Sequence, residues 1–253
     1  MKRIIISIVL LNLVISTAFA EKNKLKQNSL WFRYKADINL PKKNKIYFEI
    51  EDKIHVAPSS KHGLFYWRLG AEKQFKSNWS IGGGIYNAYY GTSALIHPSK
   101  MHIPEARPFI NVGYKQNIKP IFSITHRYRA EWRFIKNTNK AFTEKIDGFK
   151  NYFRFRYQIS LNTIAFKKDD KELSFALFEE VFINAGKKVQ KNVFDQNRLG
   201  LAVKYNFNKT VATEISYIYN IQQKSNGDDM YNRQILRFTL YTNFNILKKE
   251  KQN

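Results

Sequence analysis

The strongest constraint in this sequence is an alternation of apolar and polar residues with a period of two, which recurs in eleven separate blocks. Successive side chains of a β-strand point to opposite faces, so such a block divides two environments. In 29–40, Leu30, Phe32, Tyr34, Ala36, Ile38 and Leu40 share one face, while Trp31, Arg33, Lys35, Asp37 and Asn39 share the other. The same pattern fills 45–57, 63–75, 78–90, 107–117, 121–134, 151–161, 172–184, 194–207, 210–223 and 231–246. Blocks of about ten residues with turn signals between them are the template of a transmembrane barrel. The expected fold is therefore all-β: an antiparallel up-and-down transmembrane β-barrel of 10–12 strands, spanning residues 29–246.

Charge placement orients the wall. A charged side chain facing hydrocarbon costs about 2–4 kcal/mol near the middle of a membrane, so the charged faces must look into the lumen. This predicts an inward set with Arg33 and Arg68 on early strands, then Arg127, Arg129, Glu131 and Arg133 on the sixth block. Arg154, Arg156, Glu180, Arg198, Glu214 and Arg237 continue it to the last block, and Lys35, Lys115, Lys204, Glu49, Glu51 and Glu72 belong to it as well. Arginine–carboxylate networks are expected, since unpaired buried charges are expensive. A salt-bridged plug weighs more heavily than an anion-favouring pore in a barrel of this strand number, because long side chains fill the lumen. Glu179 sits poorly, on the apolar face with Leu177 and Val181, and calls for a bulge or a rim position.

The first twenty residues point to export. Lys2 and Arg3 precede an apolar run over 4–14, and Ala18-Phe19-Ala20 matches a signal-peptidase site, giving a cleaved signal peptide at 1–20 and a lead-in at 21–28. The absence of cysteine excludes disulfides, thiolate metal sites and cysteine nucleophiles. Formal net charge is +23, or +21 once the two charges of Lys2 and Arg3 are removed. Because the charge alternates along strands instead of clustering, nucleic acid is not the expected partner. Outer-membrane lipid, lipopolysaccharide and small anionic solutes are, with the protein as a monomer in the bacterial outer membrane.

Connections near Lys42, Ser77, Lys119 and Asn208 are short, and those around Ser59, 91–105, 136–149, 186–192 and 225–229 are longer. Short turns at one end and long loops at the other fit an outer-membrane barrel. The 162–171 connection is the exception. Single-chain bacterial barrels have even strand numbers, so eleven blocks predict ten or twelve strands. A basic tail at 247–253 follows Phe244, the aromatic residue suited to end a barrel. Trp67, Trp79, Trp132, Tyr89, Tyr90 and Tyr205 are candidates for interfacial girdles.

Enzyme motifs are weak. His55, His62, His97, His102 and His126 are the only imidazoles, and no metal or other cofactor is expected. A lipid-modifying enzyme would need a His beside a Ser or an acid on a shared face. Gly82-Gly83-Gly84 lies in a strand without a following Lys-Ser or Lys-Thr, so it reads as a bulge or bend instead of a phosphate loop. The remaining alternative is a soluble periplasmic β-protein that binds an anionic ligand or partner.

The stretch His126-Arg127-Tyr128-Arg129-Ala130-Glu131-Trp132-Arg133-Phe134, followed by Phe153-Arg154-Phe155-Arg156-Tyr157, resembles the bacterial outer-membrane proteins grouped as domain of unknown function 2490. The strand with Glu180, the segment Phe194-Asp195-Gln196-Asn197-Arg198 and the residues 217–219 are also similar. The resemblance covers the chain after residue 20 and implies an outer-membrane β-barrel without an established activity. The tail after Phe244 departs from the usual ending of such barrels.

Overall fold

The computed structural model describes residues 24–58, 60–91, 101–139, 142–187, 189, 191–224 and 227–246, so the segments 1–20 and 247–253 lie outside the described residues. The strands are β1 (Lys24–Leu40), β2 (Asn44–Ala57), β3 (Lys61–Gln74), β4 (Trp79–Gly91), β5 (His102–Lys119), β6 (Phe122–Thr138), β7 (Lys145–Lys168), β8 (Lys171–Ala185), β9 (Phe194–Asn206), β10 (Val211–Gln223) and β11 (Met230–Asn245). Consecutive strands pair antiparallel and the sheet closes into a barrel. Closure joins β1 to β11 in parallel, in a continuous register from Lys24–Met230 to Asn39–Asn245.

All eleven blocks are thus strands, within the expected 10–12, and only the expectation of an even number, ten or twelve, is not met. In an up-and-down sheet with an odd count the first and last strands run the same way, so one seam must be parallel. Parallel pairing is slightly weaker per residue, but a closed seam leaves no strand edge open. Phe32 and Phe238 stack across it on the outside, with ring centroids 5.7 Å apart.

Strand lengths differ from the sequence reading in three places. β1 begins at Lys24, inside the stretch read as a lead-in. β5 begins at His102, which moves Glu105 from a loop into the wall. β7 runs for 24 residues and absorbs most of the supposed 162–171 connection and the last part of the one at 136–149. The β7–β8 turn is then only Asp169-Asp170, with Asp169 at φ 52°, a conformation that Asp tolerates. The exception at 162–171 disappears, and the five connections at that end are all short; at the other end the β2–β3 connection, expected to be longer around Ser59, spans only residues 58–60. At the tight-turn end Asn208 Oδ1 accepts hydrogen bonds from the backbone N–H groups of Thr210 and Val211, both at 2.8 Å.

The two faces separate as charge demands. Phe32, Ile81, Ile110, Phe155, Leu201 and Ile215 are exposed on the exterior, with Ile110 at 63%. Trp79 packs on Tyr114, and Trp132 on Phe153, as outward aromatic pairs. Tyr90 corrects the girdle reading, because it turns inward and receives a hydrogen bond from Arg107. Gly82 to Gly84 pair without a register shift to β3 and β5, so the bulge reading is replaced by close approach: a Cβ at Gly84 would overlap the carbonyl oxygen of Leu69.

Asn39 and Asn245 face each other at the tight-turn end of the seam, joined by a 3.0 Å side-chain hydrogen bond. Because the chain has no cysteine, N39C/N245C should form an intramolecular disulfide on oxidation. Non-reducing mass spectrometry checks this, and a barrel closed by any other strand pair would leave both thiols free.

Candidate functional site

The inward residues of β5 to β9 build one connected charge network. Glu131 is its hub. Arg154 Nη2 donates to Glu131 Oε2 at 2.5 Å and Arg156 Nη1 to Oε1 at 2.6 Å, with Arg129 and Arg107 at 3.7 and 3.9 Å. Glu180 receives Arg127 at 2.6 Å and Arg156 at 2.7 Å, with Arg198 at 4.0 Å. Glu105 holds Arg107 and Arg133, each through Nε at 2.5 Å, and Asp195 holds Arg154 at 3.0 Å. The alternation explains the grouping: register sets Arg156 beside Arg129 and Phe182, and Glu180 beside Gln158 and Arg198.

Smaller clusters line the rest of the wall. Arg68 Nη1 lies 3.3 Å from Glu49 Oε2, and the Tyr66 hydroxyl donates to the same carboxylate. Glu214 lies between Arg33 at 3.6 Å and Arg237 at 3.4 Å, and accepts from the Tyr241 hydroxyl at 3.0 Å. Near the tight turns Asp37 bridges Lys35 and Lys45. All twelve core members of the inward set line or adjoin this lumen, and Lys204 joins them over the Tyr241 ring at 4.6 Å. Lys115 instead lies exposed on the last turn of β5.

Aromatic plates separate like charges. Arg156 and Arg198 both face the Phe182 ring, at 4.4 and 4.6 Å, and Arg198 also faces Trp31, whose ring carries Lys53 at 3.7 Å. Desolvated cation–π contacts are worth up to about 2 kcal/mol, so these rings offset part of the repulsion that the shared carboxylates leave.

Sequence reasoning missed Glu105, Arg107 and Asp195. The stretch 91–105 reads as a loop in the sequence, yet β5 starts at His102 and the inward series Glu105-Arg107-Phe109-Asn111 runs along it. Asp195 is hidden by a bulge, where the β8–β9 register shifts between Phe182 and Ile183 and an extra residue turns inward beside Gln196. The bulge sits on β9 and not at Glu179, whose pairing to β7 and β9 is unshifted. Glu179 stays on the outward face in mid-strand, buried, and accepts a hydrogen bond from Asn197 Nδ2 at 2.9 Å.

Together the inward side chains enclose a cavity of about 570 Å³. It runs from His55 and Gly91 at the long-loop end to Lys45 and Glu72 near the tight turns. Fourteen Lys and Arg residues line it against five Glu. Glu105, Glu131, Asp195 and Asp37 pair with lining cations from the wall, and a cationic surplus remains.

Among the described residues the imidazoles give two partial matches to the enzyme criterion, His55 beside Ser29 and His62 beside Asp52. Ser29 Oγ lies 2.8 Å from His55 Nδ1 on adjacent strands. His55 Nε2 abuts the Gly63 backbone, and among the described residues no hydrogen bond joins its ring to a carboxylate that would orient it as a base. His62 bonds Asp52 at 2.6 Å and His102 at 3.2 Å through different ring nitrogens. His126 packs outward between Tyr114 and Tyr157, and His97 lies outside the described residues.

Removing a partner from a buried charge cluster costs about 3–5 kcal/mol, because the remaining charges stay desolvated. E131Q should therefore lower unfolding stability by that amount in detergent. E172Q, which breaks an ion pair to the exposed Lys167, should cost under about 1 kcal/mol. Guanidinium titration of the purified variants measures both.

No curated protein matches the chain. A solved structure described as "NanC porin structure in rhombohedral crystal form" has a similar shape, with a TM-score of 0.47 and 9% identity over 80% of this chain and 91% of that one. The family model described as "Protein of unknown function (DUF2490)" matches residues 28–231, and the chain belongs to that family.

Proposed function

We propose that this protein is an outer-membrane β-barrel that forms a narrow, anion-favouring passage. The observation that carries this reading is the lengthwise cavity with its fourteen lining cations against five carboxylates. The ion pairs hold the arginines against the wall and against aromatic rings, which leaves axial space where a freely packed set of long side chains would fill it. The exposed apolar exterior supports insertion in lipid, and the closed seam leaves no strand edge to recruit a second copy. This reading assigns no reaction to the chain.

Planar-bilayer recording of the purified protein tests it. Small, reproducible steps with a reversal potential on the anion side of a KCl gradient are expected. R33Q/R237Q, which leaves Glu214 without its two cations, should move that potential toward the cation side. Absence of steps would remove the passage in favour of a plugged structural barrel, and recovery of the protein in the carbonate-soluble fraction would favour a periplasmic binding protein.

A further inference from the structure

The network does not neutralise itself. Arg68, Arg107, Arg127, Arg129, Arg133, Arg154, Arg156 and Arg198 are eight guanidinium groups. They share five carboxylates: Glu49, Glu105, Glu131, Glu180 and Asp195. A surplus of this kind in a low-dielectric lumen is costly unless an anion joins it. The surplus is concentrated where β3 faces β6. Arg68 and Arg129 stand on the same Phe109 ring, at 5.8 and 4.6 Å from its centroid. Arg129 also feels the like charges of Arg68, Arg127 and Arg156.

Hydrogen-bonding capacity is left over at the same place. Arg68 Nε, Arg127 Nε and Arg129 Nη1 have no partner, and the Arg68 and Arg129 side chains are only 10% and 3% exposed. Arg129 is positioned through its Nε, which donates to Asn111 Oδ1 at 2.6 Å, while Glu131 at 3.7 Å lies beyond hydrogen-bond distance. All three arginines line the cavity. Guanidinium forks match tetrahedral oxyanions with paired N–H donors, and three of them favour a multivalent ion over chloride.

We propose that Arg68, Arg127 and Arg129 form a mid-lumen binding site for a multivalent tetrahedral oxyanion of the phosphate class, with Phe109 as its floor. The site rests on the reading of the lumen as a passage that solutes can enter.

Isothermal titration of the full-length protein in detergent, with inorganic phosphate at constant ionic strength, tests the site. Saturable binding of about one equivalent is expected, with nitrate at least tenfold weaker. R129Q should weaken phosphate at least tenfold, and R129K should restore part of the loss. E49Q/R68Q removes both members of one pair, avoids leaving a lone buried carboxylate, and should show a similar loss. K209Q, which changes a lysine exposed at the β9–β10 turn, should bind as the parent does. Binding that K209Q weakens as much as R129Q, or no saturable binding in a folded protein, would overturn the site. Anion-selective conductance without phosphate binding overturns the site and leaves the passage standing. Phosphate binding without conductance supports the site and removes the passage.

Discussion

A guanidinium group has no favourable place against hydrocarbon, and that exclusion orders this molecule. Every second residue of a strand faces the same way, so each inward arginine forces an apolar partner outward on either side of it. Phe153 and Phe155 flank Arg154 in this manner, and Tyr128 flanks Arg129. A one-residue slip of any strand would expose its charges outside and bury its aromatics within. The cost of such a slip is largest on β6 and β7, which carry Arg127, Arg129, Arg133, Arg154 and Arg156 inward, and it holds their register. Closure then follows from strand direction: with eleven strands the seam must be parallel, and the aligned exteriors of β1 and β11 make it a continuous apolar surface.

Alternation made the wall legible from sequence. The eleven strands, most of their faces and most of the inward arginines follow from a local rule that needs no knowledge of tertiary contacts, although Arg107 and Arg233 also line the lumen. Errors arose where a local signal competed with the rule. The stretch 91–105 reads as a loop, yet β5 starts at His102 and holds prolines at 104 and 108, neither of which can donate to a sheet ladder. The wall accommodates both: the β5–β6 pairing skips Arg107 and Pro108 and resumes at Phe109. The even-number expectation failed for a different reason. It is a regularity of known barrels and not a requirement of hydrogen bonding, which a parallel seam meets equally well.

The charge network was legible as a list and not as a geometry. Which carboxylate each arginine takes depends on strand stagger and on one bulge. Without the extra residue at Asp195, β9 would present Gln196 and Arg198 inward but leave Arg154 with Glu131 as its sole anionic partner at hydrogen-bond distance. Glu179 and Asn197 mark the opposite case, a polar pair on the outward face that alternation forbids. Mutual hydrogen bonding and burial by neighbouring side chains keep this pair from meeting hydrocarbon directly.

Plug and passage need not exclude one another in such a lumen. Long basic side chains obstruct a barrel when they extend across it, whereas here carboxylates on neighbouring strands draw them along the wall. Aromatic rings at Phe109, Phe182 and Trp31 then hold the guanidinium planes in place. In the proposed passage, neutralising those carboxylates would release the arginines toward the axis, so the acids that reduce the positive charge of the lumen would also be what keeps it open. The surplus that remains is therefore bounded from both sides. With fewer carboxylates the side chains would fill the cavity, and with more of them the lumen would lose the cationic surplus on which the proposed anion preference depends.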